Sequence, residues 1–383
     1  MNTQTNLMGL QFGRDKCVKM HLGKRTRNLD ICSDSKVDAW EDITENETLV
    51  DKYMGKEVIK NVMEKTYLGH IIQSNGKNEK NITEKTNKAV GSVNKIISSI
   101  NERAYGKHTY KAALLMRQGL MLSGMLNNSE TWINMTEADI TKLTMPDTML
   151  HRQLLSHSGN PSKVFMCLEL GVVPVRYVIM AKRLNLLHYI LNESTSSTNF
   201  QVYEVLKQES RKGDFYSLSQ KDLQDLHIKL NEVQIKDYSK TKWKTYVKNV
   251  VKYCAFKHLS AENAKLENTN EITFSELRTS EYLLNNRNTR LSKIIFSLRS
   301  RTFDIKTWQP WNFFDNLCVS CEIKEETMNN FLTCKSYEDQ PCEENWEEIK
   351  GNCIERQHEI AIVVKARNEK RKEIIERAEA GHP

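Results

Sequence analysis

Apolar residues recur every three or four positions over most of the chain, which is the spacing of helices with one buried face. The clearest series begins at Ile82 and continues through Ala89, Val93, Ile96, Ile97 and Ile100. A second, well-buried helix is predicted over 108–126, where the sequence is apolar on most sides. A third is predicted over 137–157, and Pro146 is expected to interrupt it or to start a new helix there.

The alternating pattern of β-strands is confined to the amino-terminal part of the sequence. Residues 7–24 predict a helix end, a turn and a strand, and residues 66–73 predict one further strand before a turn at 74–77. At the other end, residues 343–379 are highly charged and predict one or two long solvent-facing helices. The predicted fold class is therefore mainly α, with a small β segment near the N-terminus followed by helical bundles.

Composition narrows the classes of partner. The chain has 383 residues, enough for two or three domains, and a net charge of +7 that favours an anionic partner. It contains no apolar run of membrane-spanning length, so we expect no membrane partner. Nine scattered cysteines fit a reducing compartment, which predicts an intracellular protein of the nucleus or cytoplasm.

Two short stretches carry a family resemblance. Residues 10–20, LQFGRDKCVKM, and residues 67–72, YLGHII, resemble the last two palm motifs of reverse transcriptases encoded by non-LTR (LINE-type) retrotransposons. The resemblance implies that Lys16 stands where the family has the lysine that protonates the leaving pyrophosphate. It also implies that Tyr67, Leu68 and Gly69 belong to the hairpin that grips the primer end.

A longer match follows downstream. Residues 165–191 resemble a block that lies after the thumb in LINE-type elements with restriction-like endonucleases. The block contains, in order, Glu-Leu-Gly, Pro, Arg-Leu and Tyr-Ile-Leu. Residues 130–132, Glu-Thr-Trp, resemble a further marker of that same region. The ordered series covers nearly the whole chain. It implies a palm remnant (1–78), a thumb-like helical bundle (79–158), a helical linker domain (159–310), a zinc-knuckle-like segment (311–342) and a charged helical tail (343–383).

Catalysis by this chain alone is not expected. Nucleotidyl transfer needs two metal ions clamped by converging carboxylates, and the sequence contains no adjacent pair of aspartates. The family's aspartate pair lies upstream of the lysine motif, and this chain begins only a few residues before that motif, so Mg²⁺ would be a cofactor of a full-length parent enzyme only. We expect a truncated reverse-transcriptase product that binds RNA and DNA without extending a primer. The alternatives are a host-adopted helical scaffold and a decaying, non-functional element.

A lysine series marks one helix as a candidate nucleic-acid contact. Lys240, Lys244, Lys248 and Lys252 recur every four residues, and no acidic residue lies between positions 239 and 260. Such a series could contact successive phosphates, and the interleaved Trp243 could stack on unpaired bases. The alternative is a solvated helix face whose aromatic residues belong to the core.

Three cysteines predict a zinc site. Cys318 and Cys321 have the spacing of two thiolates that share one tetrahedral Zn²⁺, and Cys334 follows. The residues between resemble the zinc knuckle of the same family, but Asn330 occupies the position of its histidine ligand. An amide oxygen is a poor zinc ligand among thiolates.

The fourth ligand is therefore open. Cys342 is the first candidate, Cys353 or His358 would need a longer loop, and the third outcome is that the site has been lost. A closed site with four ligands would be structural, because catalytic zinc keeps an open position.

Overall fold

The structure, a computed structural model, describes residues 64–67, 70–73, 76–103, 108–155, 159–285, 288–305, 315–337, 346–351 and 353–379. Over these residues the fold is mainly α, as predicted, with a single two-stranded sheet. The chain divides into two compact units. The first comprises Met1–Glu84 and Trp132–Met135, and the second comprises Lys85–Thr131 and Thr136–Pro383.

The first unit contains a β-hairpin. Strand β1 (Glu64–Tyr67) pairs antiparallel with β2 (His70–Gln73), with Tyr67 opposite His70. The single strand predicted over 66–73 is therefore wrong, because the chain reverses between β1 and β2 rather than after residue 73. Trp132 is buried in this unit, and its indole N–H donates to His70 Nδ1 at 3.4 Å.

Helix α1 begins in the first unit and continues into the second. The second unit is built from helices. They are α1 (Glu79–Arg103), α2 (Thr109–Met116), a π-helical segment (Arg117–Leu122), α3 (Ser123–Met125), α4 (Glu137–Leu155), α5 (Lys163–Leu170), α6 (Val175–Leu191), α7 (Thr198–Glu209), α8 (Phe215–Asp225), α9 (Glu232–Lys236), α10 (Lys240–Asn263), α11 (Glu281–Asn285), α12 (Thr289–Arg299), α13 (Met328–Thr333), α14 (Trp346–Lys350) and α15 (Ile354–Glu379). Two 3₁₀ turns lie at Ser129–Thr131 and Lys335–Tyr337.

Helix α1 follows its sequence pattern, since Ile82, Ala89 and Val93 are all buried. Helix α4 does not follow its pattern, because it continues through Pro146 without interruption. Leu143 and Leu150, one turn to either side of the proline, are fully buried, so packing on both sides holds the helix together where propensity would break it.

The core of the second unit lies where α6 packs against α10. Leu184 and Leu187 of α6 contact the buried row of α10, which includes Trp243 and Val247. Apolar contact of this kind is the main stabilising term of the fold. No single helix in the described ranges is long and apolar enough to cross a membrane; α5 and α6 reach that threshold only as a pair bent by 62°.

Buried ion pairs join helices that are distant in sequence. They are Arg117–Asp147, Arg183–Asp222, Glu169–Arg299 and Glu326–Arg371, with both side chains of each pair less than one-tenth exposed. The last pair corrects the prediction that 343–379 is solvent-facing. Helix α15 buries a face containing Ile360, Val364 and Arg371, because Glu326 neutralises the arginine with two hydrogen bonds of 2.9 and 3.0 Å.

Candidate functional site: a basic groove and a cysteine cluster

A groove of about 930 Å³ lies in the second unit. Residues of α2, the π-helical segment, α6, α10 and the chain at 277–284 line it. Seven basic side chains line it against one acidic side chain, Glu281. The basic ones are Lys111, Arg117, Lys182, Lys244, Lys248, Lys252 and Arg278. This excess of positive charge gives the groove a potential that attracts anions.

The lysine series of α10 lies mainly in this groove. Lys244, Lys248 and Lys252 line it, and Lys240 lines a smaller cavity beside it. Four residues advance a helix by a little more than one turn, so side chains at this spacing share one face. The structure therefore brings the predicted lysines together along one edge of a concave surface.

Trp243 is not on that surface, which corrects the prediction that it stacks on unpaired bases. Its side chain is 0% exposed, and its indole N–H donates to the backbone oxygen of Leu184 at 3.0 Å. Trp243 belongs instead to a buried row that repeats every four residues on α10: Trp243, Val247, Val251, Ala255 and Leu259. That row is visible in the sequence and is the signal that identifies Trp243 as a core residue.

Several of the groove cations have no neutralising partner in the described part of the chain. Among the described residues, no carboxylate lies within 4.0 Å of the ammonium groups of Lys111, Lys244 or Lys248. In contrast, Lys182 pairs with Glu130 at 2.8 Å, and Lys252 lies 3.8 Å from Glu276. The uncompensated charges therefore come from two of the helices that line the groove, one from α2 and two from α10.

A buried polar cluster supports the floor of the groove. Arg117 donates to both carboxylate oxygens of Asp147, at 2.5 and 2.7 Å, and to the backbone oxygen of Val173 at 3.2 Å. Burial raises the pKa of Asp147, but the charges of His151 and Arg117 outweigh it, so the pKa lies below its usual value. Burial lowers the pKa of His151 to about 4. Neither Lys111 nor Arg117 was identified from sequence, because their neighbours are distant along the chain.

One wall of the groove depends on Gly171. This glycine follows α5 with a φ of +64°, and a Cβ built on it would lie 2.2 Å from the carbonyl carbon of Arg278. The wall is fixed there by two hydrogen bonds, from Thr279 Oγ1 to the Leu170 oxygen and from the Ser280 N–H to the Glu169 oxygen, each 2.8 Å. The Glu-Leu-Gly residues of the sequence match are therefore where the wall attaches.

The second candidate site is the cysteine cluster formed by Cys318, Cys321 and Cys334, whose sulfur atoms all lie within 4.8 Å of one another. Cys318 and Cys334 are buried, with 3.9 Å between their sulfurs. A bridge between Leu317 and Glu325 closes the loop that carries the first two cysteines.

The protonation of the thiols differs across the cluster. Backbone N–H groups of Ile323 and Lys324 donate to the sulfur of Cys321 and lower its pKa to about 7. Burial raises the pKa of Cys318 to about 11. A bound cation would favour the thiolate of both residues, so the three cysteines could hold a metal ion.

Among the described residues, no fourth histidine, cysteine or carboxylate joins the three cysteines. The Asn330 side chain donates its Nδ2 to the Glu325 oxygen at 3.0 Å, so it braces the loop. Neither Cys353 nor His358 joins the cluster in the described part of the chain, which argues against the alternative with a longer loop. Cys342, the first candidate, lies outside the described residues.

The polymerase-like residues are mostly beyond the described ranges. Lys16, Leu68 and Gly69 lie outside them, and Tyr67 is an exposed residue at the end of β1. No family model, curated protein or solved structure matches the chain.

Proposed function

We propose that this protein binds RNA or DNA through the phosphates, and that the groove lined by Lys111, Lys244 and Lys248 is the binding surface. The observation that supports this most directly is that these ammonium groups, from two different helices, line one concave surface without carboxylate partners among the described residues. Nucleic-acid backbones present regularly spaced negative charges, and each phosphate neutralised by a lysine releases counterions.

The resemblance supplies the proposed origin. The motifs at 10–20, 67–72 and 165–191 support descent from the reverse transcriptase of a LINE-type element. Because the sequence has no adjacent aspartates for the metal ions, we propose binding rather than nucleotide incorporation as the activity of this chain. Primer extension with Mg²⁺ and an RNA template is expected to give no product, and extension by the purified chain would contradict this part of the proposal.

The test of binding is its salt dependence. Affinity for a short labelled single-stranded RNA should fall steeply between about 50 and about 200 mM salt. The logarithm of the binding constant should fall linearly with the logarithm of the salt concentration. Replacing Lys244 or Lys248 by Gln should weaken binding and reduce the slope by about 0.7 for each phosphate that the variant no longer neutralises.

Matched controls are available on the same helix. Lys242 and Lys257 are exposed residues of α10 that line neither the groove nor the cavity beside it. Their Gln variants carry the same change in net charge and should retain the wild-type slope. Equal losses in all four variants would show that net charge rather than the groove binds the strand. A wild-type protein without a salt slope would favour the scaffold alternative.

We further propose that the cysteine cluster holds a structural Zn²⁺ with Cys342 as fourth ligand. Three thiols whose sulfur atoms lie within 4.8 Å of one another could bind a single ion, and zinc prefers thiolate ligands. The test is metal content per chain after dialysis. Cys342→Ser should lower it, whereas Cys353→Ser, a change at an exposed cysteine outside the cluster, should not. Equal zinc content in the two variants would exclude Cys342 as a ligand.

A further inference from the structure

A second cavity, of about 250 Å³, lies at the amino end of α10. It shares Asn185 and Lys244 with the basic groove, so the two hollows adjoin along the seam between α6 and α10. At about 250 Å³ it is near the small end of ligand-sized pockets, which begin at about 300 Å³. It therefore has room for a group no larger than a small ring system.

The cavity is basic on the side of α10. Lys240 and Lys244 line it, and no carboxylate of the described residues lies within 4.0 Å of either ammonium group. These two lysines continue the row formed by Lys248 and Lys252 in the groove. A strand whose phosphates follow that row would reach the cavity without leaving the lysines.

The remaining wall is aromatic and rigid. His188 is buried and stacks on Trp243 with 5.6 Å between the ring centres. Its Nε2 atom lies 2.8 Å from the backbone oxygen of Tyr238. Tyr238 in turn packs edge-on against Trp243. At the rim Tyr189 is 53% exposed, so it presents ring surface that the fold does not use. Exposed aromatic rings beside a basic groove are where single strands stack their bases.

An amide without a partner lies where the two hollows meet. The Oδ1 atom of Asn185 is shielded from solvent and has no hydrogen-bond partner. A buried polar atom left this way is unfavourable, and a ligand donor that the amide turns to meet removes the penalty. The edge of a nucleobase offers both donors and acceptors, which an asparagine amide can match.

We propose that this cavity accepts one unpaired nucleobase, stacked on Tyr189 and hydrogen-bonded to Asn185, from a single strand whose phosphates lie along the lysines of α10. The proposal rests on the proposed function, because the strand must bind in the groove. It predicts a preference for single strands over duplexes, since bases that are paired inside a duplex cannot enter the cavity.

The experiment compares strands with and without bases. Binding of a labelled single strand, of an abasic strand with the same number of phosphates and of the corresponding duplex is measured at one salt concentration and then across a salt series. Wild-type protein should bind the base-containing strand roughly tenfold more tightly than the abasic strand. Tyr189→Ala, at a residue that lines only the smaller cavity, should lose that preference and retain the abasic affinity, which also shows that this variant is folded. Asn185→Leu should likewise lose the preference.

Tyr253→Ala is the matched control, because Tyr253 is 60% exposed on α10 and lines neither hollow. It should keep the preference for bases. Equal wild-type affinities for the two strands, with a normal salt slope, would overturn the cavity proposal and leave the groove standing. Absence of salt-dependent binding to either strand would overturn both. A loss of preference in the Tyr253 variant as large as in the Tyr189 variant would also overturn the cavity proposal.

Discussion

The basic groove and the cysteine cluster differ in what holds them in shape. Long helices form much of the groove, among them α6 with 17 residues and α10 with 24, and these bury a shared apolar core. The cluster consists of a loop closed by one bridge and of α13, which has six residues. The difference teaches that burial of apolar surface is enough to shape the groove, whereas the short elements of the cluster would gain most from the proposed zinc.

Both regions nevertheless depend on a buried arginine. Arg117 supports the groove through Asp147, and Arg371 holds the cluster segment on α15 through Glu326. Arg367 adds a hydrogen bond of 2.7 Å to the Phe331 oxygen of α13. The two sites can therefore be disturbed separately: the cluster through its proposed metal and through Glu326, and the groove through Arg117 and through Gly171.

Removal of zinc should produce the largest difference between the two regions. Structural zinc contributes about 10–16 kcal/mol to the folding of small metal-dependent segments. A chelator should therefore abolish amide-exchange protection across 315–337 and leave the protection of α10 unchanged. Loss of protection in both regions would show that the groove also depends on the metal.

Breaking the anchor of the cluster is the next largest change. Glu326→Leu removes the carboxylate that accepts both short hydrogen bonds from the buried Arg371 and leaves only Asp304, at 3.5 Å, beside it. The change should destabilise this part of the protein by about 3–5 kcal/mol. Denaturant unfolding monitored by limited proteolysis of α15 measures the loss. Glu325→Leu, at the exposed neighbouring side chain, should change stability by about 0.5 kcal/mol or less. Similar losses in the two variants would mean that the buried pair is not the anchor.

Acid should act on the groove through His151. Its pKa of about 4 in the fold lies below the ordinary value of 6.5, so the unfolded chain binds the proton more readily. The corresponding stability is complete above pH 6.5 and is lost, by about 3 kcal/mol, as pH falls to about 4. His151→Gln should remove this dependence.

The measurement is the difference in unfolding free energy between wild type and His151→Gln across that pH range. Taking the difference cancels the pH-dependent contribution of Asp222, which is the same in both proteins. Burial raises the pKa of Asp222 to about 6, so its contribution to stability is lost as pH rises, which is the opposite direction. A difference that stays constant with pH would show that His151 titrates normally in the fold.

The smallest of the four effects concerns the wall of the groove. Gly171→Ala introduces a Cβ into the left-handed conformation and against the backbone of Arg278, which should cost about 2 kcal/mol and weaken RNA binding. Gly124→Ala places a Cβ in open space within α3 and should be neutral or slightly stabilising. Thermal unfolding of the two variants checks the contrast, and equal melting temperatures would contradict the close approach.

The sequence predicted the positions of the helices better than it predicted what the helices pack against. The apolar rows of α1 and α10 have helical spacing, because only residues on one face are removed from water. The residue pattern predicted one strand over 66–73 where the structure has two paired strands, although the family resemblance implied a hairpin at 67–69. The continuity of α4 through Pro146 was missed, since it is decided by packing rather than by the local residues. The buried face of α15 was missed because its arginines look solvent-facing until Glu326 is placed beside them.

Some residues of the candidate sites are marked by a local sequence pattern, and others are not. The lysines of α10 are a local pattern, and so are Cys318 and Cys321. In contrast, Lys111 reaches the same groove from a helix more than a hundred residues away in sequence, and no local pattern marks it. Asn185 has no sequence signal either, because its significance comes from an unpartnered atom at the junction of two hollows.

The hydrogen bond from Thr279 to the Leu170 oxygen joins residues that are 109 positions apart. A contact of this length forms only after the whole intervening chain exists, and such distant contacts slow folding. At the usual rate of synthesis, α5 leaves the ribosome about 5–20 s before the segment that closes over Gly171. During that interval the nascent chain exposes the carboxyl end of α5 without the segment that covers it, so the groove is completed late in translation.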